Sequence, residues 1–293
     1  MMKYKLVHKT EYKYLDTVTS YQSLLCLAPR TLSRQICQEF KLEITPAPAE
    51  IIERVDFYGN TTHYFSLHTP HKQLSVVATS LVECITDTVG TPLIPSDISC
   101  AEARKAFVQD RSLKISLLEF MIPSPMVRWD EQIRNFASDC FQDDKPLYDS
   151  VRGLCHKIFT EFDFVPDFTT IHTPIKDVLA AKKGVCQDFS HLAIACIRSF
   201  GFAAKYVSGY LETLPPPNRP KLQGSDASHA WISVFIPDYG WCDFDPTNDM
   251  VPRERHITTA WGRDYSDVPP LKGIIFSAGK QALSVEVDVI PSE

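Results

Sequence analysis

Apolar and polar residues alternate along the first third of the chain. Tyr4, Leu6, His8, Tyr12 and Tyr14 fall on one parity. Phe40, Lys41, Leu42, Glu43 and Ile44 alternate without a break, and 62–67 alternates after a Tyr58-Gly59-Asn60 turn signal. Residues 74–85 add a β-rich run. A period of two puts one set of side chains on a buried sheet face. Short strands between turn residues predict an antiparallel β-sandwich. The stretch Thr91-Pro92-Leu93-Ile94-Pro95 breaks the pattern, which divides the chain into a sandwich over 1–95 and a second domain over 96–293.

Beyond that break the period becomes helical. Residues 97–109, 115–121, 130–140, 150–162 and 174–182 carry apolar stripes at helical spacing. Ser99 with Glu102 three positions on has the form of a capping box. Strand character returns over 206–211, 230–236 and 241–244, and 282–289 is a last alternating strand. The proline-rich segment 215–220 reads as a stiff, exposed loop. Helices followed by antiparallel strands make the second domain α+β, with the final strand as its β tail.

The chain has 293 residues, 44% hydrophobic and 23% charged, which suffices for a sizeable core. A net charge of −6 without a basic run excludes a protein that binds nucleic acid or a membrane surface electrostatically. No apolar stretch reaches transmembrane length, and the first ten residues lack the apolar segment of a secretory signal. The nine cysteines are odd in number and form no C-x-x-C pair. That usage predicts reduced thiols in a cytoplasmic protein, with neither a disulfide framework nor a zinc site.

The densest chemistry lies in Gly184-Val185-Cys186-Gln187-Asp188-Phe189-Ser190-His191-Leu192-Ala193. Phe189, Leu192, Ala193, Cys196, Ile197 and Phe200 follow Cys186 at helical spacing, and Gly201 is a natural stop. Cys186 therefore sits in the first turn of a buried helix. There the helix terminus favours a thiolate, and backbone N–H groups can hold an oxyanion. His229 opens the strand 229–236, where a rigid element can carry its ring to a cleft. Asp245 stands before Pro246 at the exit of the next strand, able to orient the imidazole. If that hairpin turns on two residues, Asp238 and Tyr239, Asp245 falls opposite Ile232 and Asp249 lies nearly opposite His229. Spacing alone leaves both carboxylates open, with Asp245 first and Asp249 in reserve.

Taken together, 184–189 (Gly-Val-Cys-Gln-Asp-Phe), 228–235 (Ser-His-Ala-Trp-Ile-Ser-Val-Phe) and 240–247 (Gly-Trp-Cys-Asp-Phe-Asp-Pro-Thr) resemble the bacterial transglutaminase-like superfamily. His8 to Tyr14, Leu27-Ala28-Pro29-Arg30 and Asp56-Phe57-Tyr58-Gly59-Asn60 resemble the β domain that precedes this core in bacteria. The resemblance implies a papain-like core with Cys186 as nucleophile, His229 as base and Asp245 as orienting acid. It implies acyl transfer on a peptide or protein amide through a thioester, with hydrolysis favoured over transglutaminase crosslinking. It implies no cofactor, and no calcium-loop spacing is present. The side-chain oxyanion donor of related enzymes has no evident counterpart: the matching region 162–166 offers Phe162 and Phe164, which leaves backbone groups. The competing class is a non-catalytic binding module, its β domain recruiting a protein partner. Retention of all three triad residues argues against it.

Other residues have structural readings. His191, five positions past Cys186, is off its helix face. Asp188 complements the helix terminus, Gln187 caps or contacts substrate, and Trp231 and Trp241 pack in the core. His63, His68 and His71 lack a ligand spacing, Arg263 and Asp264 belong to a polar network, and the remaining cysteines are core thiols.

Overall fold

The computed structural model describes residues 1–85, 97–213, 226, 228–276 and 279–292. Its first strands are β1 (Met2–Val18), β2 (Ser20–Leu25), β3 (Gln35–Thr45), β4 (Ile51–Val55), β5 (Thr61–Leu67) and β6 (His71–Cys84). Helices α1 (Cys100–Gln109), α2 (Arg111–Leu117), α3 (Glu131–Phe136) and α4 (Leu147–Glu161) follow. Then come β7 (Asp163–Phe164), α5 (Ile175–Ala181), β8 (Lys183–Gly184) and α6 (Cys186–Ser199). The chain ends with β9 (Ala204–Leu211), β10 (Ser228–Ile236), β11 (Gly240–Phe244), β12 (His256–Gly262), β13 (Leu271–Phe276) and β14 (Gln281–Ser292). The class is α+β with antiparallel main sheets, as the periodicities require. Among the described residues no helix is long and apolar enough to cross a membrane.

Alternation in β1, β5 and β6 buries one side-chain parity, and the sandwich forms on it. Its sheets run β14-β1-β6-β3 and β13-β2-β5-β4. Between them lie Tyr14, Val18, Tyr21, Leu25, Phe65 and Leu74. β14 pairs with β1 from Lys3↔Ser292 to Tyr14↔Gln281, and β13 pairs with β2. The C-terminal tail, grouped by sequence with residues 96–293, thus completes the sandwich. Its two strands cover edges of β1 and β2 that would otherwise expose unpaired backbone groups. The break at 91–95 and the loop at 215–220 lie outside the described residues.

The third four-stranded sheet, β11-β10-β9-β12, is antiparallel throughout. Against one face packs α6, buried from Asp188 to Ser199. Its Phe189, Ala193, Cys196 and Ile197 share a core with Ala230, Ile232, Val234 and Ile236 of β10. The other parity of β10, His229, Trp231 and Ser233, therefore points to the opposite face. The sandwich covers that face and the outer edge of β12. Gln35 donates Nε2–H to Thr258 O and accepts Thr258 N–H, both at 2.8 Å. Asn60 accepts Trp261 N–H at 3.0 Å and donates to Trp261 O at 2.9 Å. Two side-chain amides thus imitate the strand that the edge lacks. α1 starts in the expected capping box, with Glu102 N–H on Ser99 Oγ and Ser99 N–H on Glu102 Oε2.

Gly209 of β9 lies directly opposite His229. A Cβ at this position would come within 2.1 Å of Ile257 O and 2.6 Å of Trp231 Cη2. Only glycine lets β12 and the indole close here. Gly209→Ala is expected to cost about 1–3 kcal/mol through overpacking. Urea denaturation checks this; an unchanged midpoint would mean that the close approach carries no energetic weight.

Candidate active site

The chain enters α6 under tight local control. β7 runs parallel to β8, and Val165 N–H donates to Gly184 O at 2.9 Å. Asp188 then folds back over the turn: its Oδ2 accepts Val185 N–H at 2.8 Å and Thr169 Oγ1–H at 2.6 Å. A Cβ on Gly184 would lie 2.8 Å from that oxygen and 2.9 Å from Asp188 Cβ, so glycine leaves room for the carboxylate. Burial pushes the Asp188 carboxyl upward, against the pull of its two donors. Val185 occupies the N-cap and has no side-chain acceptor, so no cap side chain occupies the first N–H groups of α6. Cys186 is half-buried at this open terminus.

The β10–β11 register corrects the hairpin expected from sequence. The turn takes three residues, Pro237, Asp238 and Tyr239, not two. Tyr239 N–H donates to Ile236 O at 3.1 Å, and Asp238 adopts a left-handed φ of 66°. Proline has no N–H to give a ladder, so Pro237 joins the loop and Ile236 pairs with Gly240. Phe244 then faces Ile232, and Asp245 continues to Trp231 rather than Ile232. That one-residue change puts Asp245 on the same face as His229. The reserve carboxylate, Asp249, points elsewhere: it accepts from His156 Nδ1 at 2.8 Å and lies 3.6 Å from Arg152.

The three expected residues come together. His229 Nε2 donates to Asp245 Oδ2 at 2.8 Å. The Cys186 side chain is near enough to raise the proton affinity of His229, and with Nε2 on Asp245 the ring has Nδ1 left to offer the sulfur. Two further residues, which the sequence reading passed over, complete the group. His256 Nε2 lies 3.1 Å from Asp245 Oδ2, and Asn248 Nδ2 donates to the same oxygen at 2.7 Å. Asp245 Oδ1 accepts the backbone N–H groups of Thr247 and Asn248 at 2.9 and 3.2 Å. A polar residue three positions past a strand-exit aspartate was the available signal for Asn248. For His256 there was only its place at the head of a buried segment.

Asp245 is fully buried, which opposes its charge. His229, His256 and Asn248 outweigh that cost and hold the carboxyl well below the usual range. Burial likewise opposes charge on His229, but the hydrogen bond to Asp245 and the nearby Cys186 prevail and raise it from 6.5 to about 10. The imidazole is thus a cation at neutral pH. Ligand atoms of His229, Asp245 and His256 lie within 4.8 Å of one another, a set that could hold a metal ion. Their contacts at 2.8 and 3.1 Å are hydrogen-bonding distances. An ion would have to separate atoms now in direct contact, so the set fits a hydrogen-bonded relay better.

The remaining residues sort by contact. Trp231 is fully buried, its ring centroid 6.0 Å from that of His229 and 5.2 Å from that of His256. It packs the core and floors the histidines at once. His191 is buried and accepts Tyr265 N–H at 3.2 Å. Asp264 accepts Met126 N–H and Ser266 N–H, both at 2.8 Å, and Arg263 forks onto Asp267. His63 and His71 are buried in the sandwich, on Glu53 and Thr69 O, while His68 is exposed. All nine cysteines are free thiols, and of these only Cys37 and Cys186 are not buried. Phe164 lies near Phe189 (6.4 Å between ring centroids), so region 162–166 does border the entry to α6.

Comparison with known proteins matches residues 4–83 to the bacterial transglutaminase-like N-terminal region and 134–246 to the transglutaminase-like superfamily core. A Mycobacterium tuberculosis protein is 40% identical over 296 residues, covering 99% of this chain and 93% of its own. A Mycobacterium leprae protein is 32% identical over 292 residues, covering 99% of both. The crystal structure of a candidate cysteine protease from Cytophaga hutchinsonii shares the fold, with a TM-score of 0.73 at 20% identity, over 100% of this chain and 92% of that one.

The raised proton affinity of His229 has a consequence for stability. A proton that the unfolded chain releases near 6.5 is kept in the folded state until about 10. This contribution is complete below about pH 6.5 and is lost as pH rises through about 10. Urea midpoints of the wild type are expected to fall across that window, and Asp245→Asn is expected to flatten the slope. Identical slopes for the two proteins would remove Asp245 as the source of the shift.

Proposed function

The chain belongs to the transglutaminase-like superfamily, and from that premise we propose that it is a cysteine enzyme that hydrolyses an amide through a thioester on Cys186. The observation that carries this reading is the ring of His229, held at 2.8 Å on a buried, ionised Asp245 and near enough to Cys186 for the sulfur to raise its proton affinity. With the proton on His229, the sulfur of Cys186 is the nucleophile. It attacks the amide carbonyl, and the uncapped N–H groups at the start of α6 receive the developing oxyanion. His229 gives its proton to the departing nitrogen; the C–N bond breaks as the C–S bond forms. Water then enters, His229 takes its proton, and the hydroxide oxygen displaces sulfur to release the acid. Asp245 fixes the imidazole tautomer and balances its charge throughout. His256 and Asn248 are positioning residues, which hold Asp245 Oδ2 in place.

An amine in place of water in the second half would give transamidation. The first half is common to both outcomes, so the acceptor alone separates them. The fold shared with a candidate cysteine protease favours water. In an assay on a peptide amide, product acid is expected in excess of any conjugate to an added fluorescent primary amine.

The decisive test is brief alkylation with limiting iodoacetamide at about pH 6, where an ordinary thiol of pKa ~8.5 stays protonated. Among the nine cysteines, Cys186 is expected to label first, and His229→Ala to abolish that preference. Cys186→Ala is expected to lower amide turnover about 10³-fold or more with the fold intact. If Cys186 labels no faster than the others, or turnover survives its replacement, the reading falls.

A further inference from the structure

A second candidate site lies on the face of the catalytic sheet turned away from α6. A cavity of about 370 Å³ separates that face from the sandwich. Its sheet wall carries a polar row across three strands: Lys205 of β9 pairs with Ser233 of β10, which pairs with Asp243 of β11. Lys205 is 5% exposed. Its Nζ lies 3.7 Å from the ring centroid of Trp261 and 4.3 Å from that of Trp241. Among the described residues it makes no hydrogen bond and no ion pair. Ser233 is fully buried, and its Oγ has no partner. Asp243 attracts Lys205 through space, but its carboxylate already accepts Trp231 Nε1–H at 3.3 Å. The row thus leaves a cation that rests on two indole faces without an anion in contact, beside a hydroxyl with no partner.

Leaving such groups unmatched is costly. A buried cation gives up its hydration, and a buried hydroxyl without a partner gives up its hydrogen bonds to water. Burial lowers the Lys205 amine to about 8, the direction expected of a cation without an anion in contact. Its neighbours from the other elements are Arg30, which repels it, and Asp243, which attracts it. A monoanion offering two acceptor oxygens would satisfy Lys205 and Ser233 together. The walls carry both signs, Asp243 and Glu254 beside Arg34 and Arg253, so a second charge on the anion gains nothing there while an apolar body does. The indoles suit an apolar body, and the volume falls within the ordinary range of small-molecule pockets.

We propose that this cavity binds a small carboxylate, its head group on Lys205 Nζ and Ser233 Oγ and its apolar body against Trp241 and Trp261. The site is separate from Cys186 and does not depend on the catalytic reading. It is nevertheless joined to it, because His256 forms part of the cavity wall and also bonds Asp245.

The probe is N-acetyl-L-leucine, compared with its uncharged amide and with inorganic phosphate. Binding is read by calorimetry and by the fluorescence of the indoles that line the cavity. The acid is expected to bind in the millimolar range, the amide and phosphate not to bind, and Lys205→Met to weaken the acid about tenfold or more. Ser233→Ala, a near-isosteric change, is expected to weaken it severalfold and serves where Lys205→Met fails to fold. The proposal is overturned if the acid does not bind at roughly 20 mM. It is also overturned if the amide or phosphate binds as well as the acid, or if neither variant weakens binding.

Discussion

The candidate site depends on one constraint, the register of the β10–β11 hairpin. Pro237 cannot donate to a ladder, so the turn takes three residues and Ile236 pairs with Gly240. A two-residue turn would shift β11 by one position, and every side chain on it would change faces. Asp245 would then point toward the apolar layer of Ile232 and Val234 under α6. Burial among mainly apolar side chains disfavours an ionised carboxylate. In the observed register the same residue meets His229, His256, Asn248 and two backbone N–H groups. The electrostatics of the site follow from a turn four residues and more away from it.

Magnitudes favour the charged arrangement. Burying a carboxylate costs several kcal/mol even after relaxation. Hydrogen bonds to a charged group return about 1.5–3 kcal/mol each, and Asp245 accepts five. The balance therefore lies with the ionised form, and an ionised Asp245 in turn keeps the proton on His229. The opposite end of the relay is built by omission. Most helices place Ser, Thr, Asp or Asn at the N-cap, whereas α6 begins after Val185, and the capping duty of Asp188 goes to Val185 N–H. Stability is given up at that terminus, and free N–H groups remain beside Cys186.

Much of this was legible in the residues, for identifiable reasons. Period-two strands such as β1, β5 and β6, the Ser99–Glu102 box and the helix after Cys186 each carry a local signal that tertiary context reinforces. β12 was not legible: His256 to Ala260 are buried consecutively, with helix-distal packing on one side and the sandwich on the other, so alternation is absent. β14 could be read only as a strand and β13 was not read as one, and their pairing with β1 and β2 spans most of the chain. His256 and Asn248 share the difficulty of the missed strand. Their role depends on meeting one oxygen of Asp245, and no spacing rule encodes that meeting.

The sandwich can be understood from the same geometry. α6 covers one face of the β11-β10-β9-β12 sheet, but Asp245, His256 and Trp231 lie on the other, where bulk water would screen every contact among them. Closing that face needs a second layer, and the edge of β12 needs partners for its N–H and C=O groups. Gln35 and Asn60 supply those partners, while Arg30 stacks 3.5 Å over Trp261. Tyr210 OH meets His8 Nδ1 at 3.0 Å, and Ile257 shares a core with Leu6, Val82 and Val289. Tyr210 and Ile257 share the parity of Ala230 and Ile232, so this core of β1, β6 and β14 extends the layer that α6 begins and clamps the sandwich onto the sheet from that side. A chain cut before β14 would lose Val287 and Val289 from this cluster. The sandwich would lose with them its apolar hold on β9 and β12, and only polar contacts such as those of Gln35 and Asn60 would keep it over the face that carries Asp245.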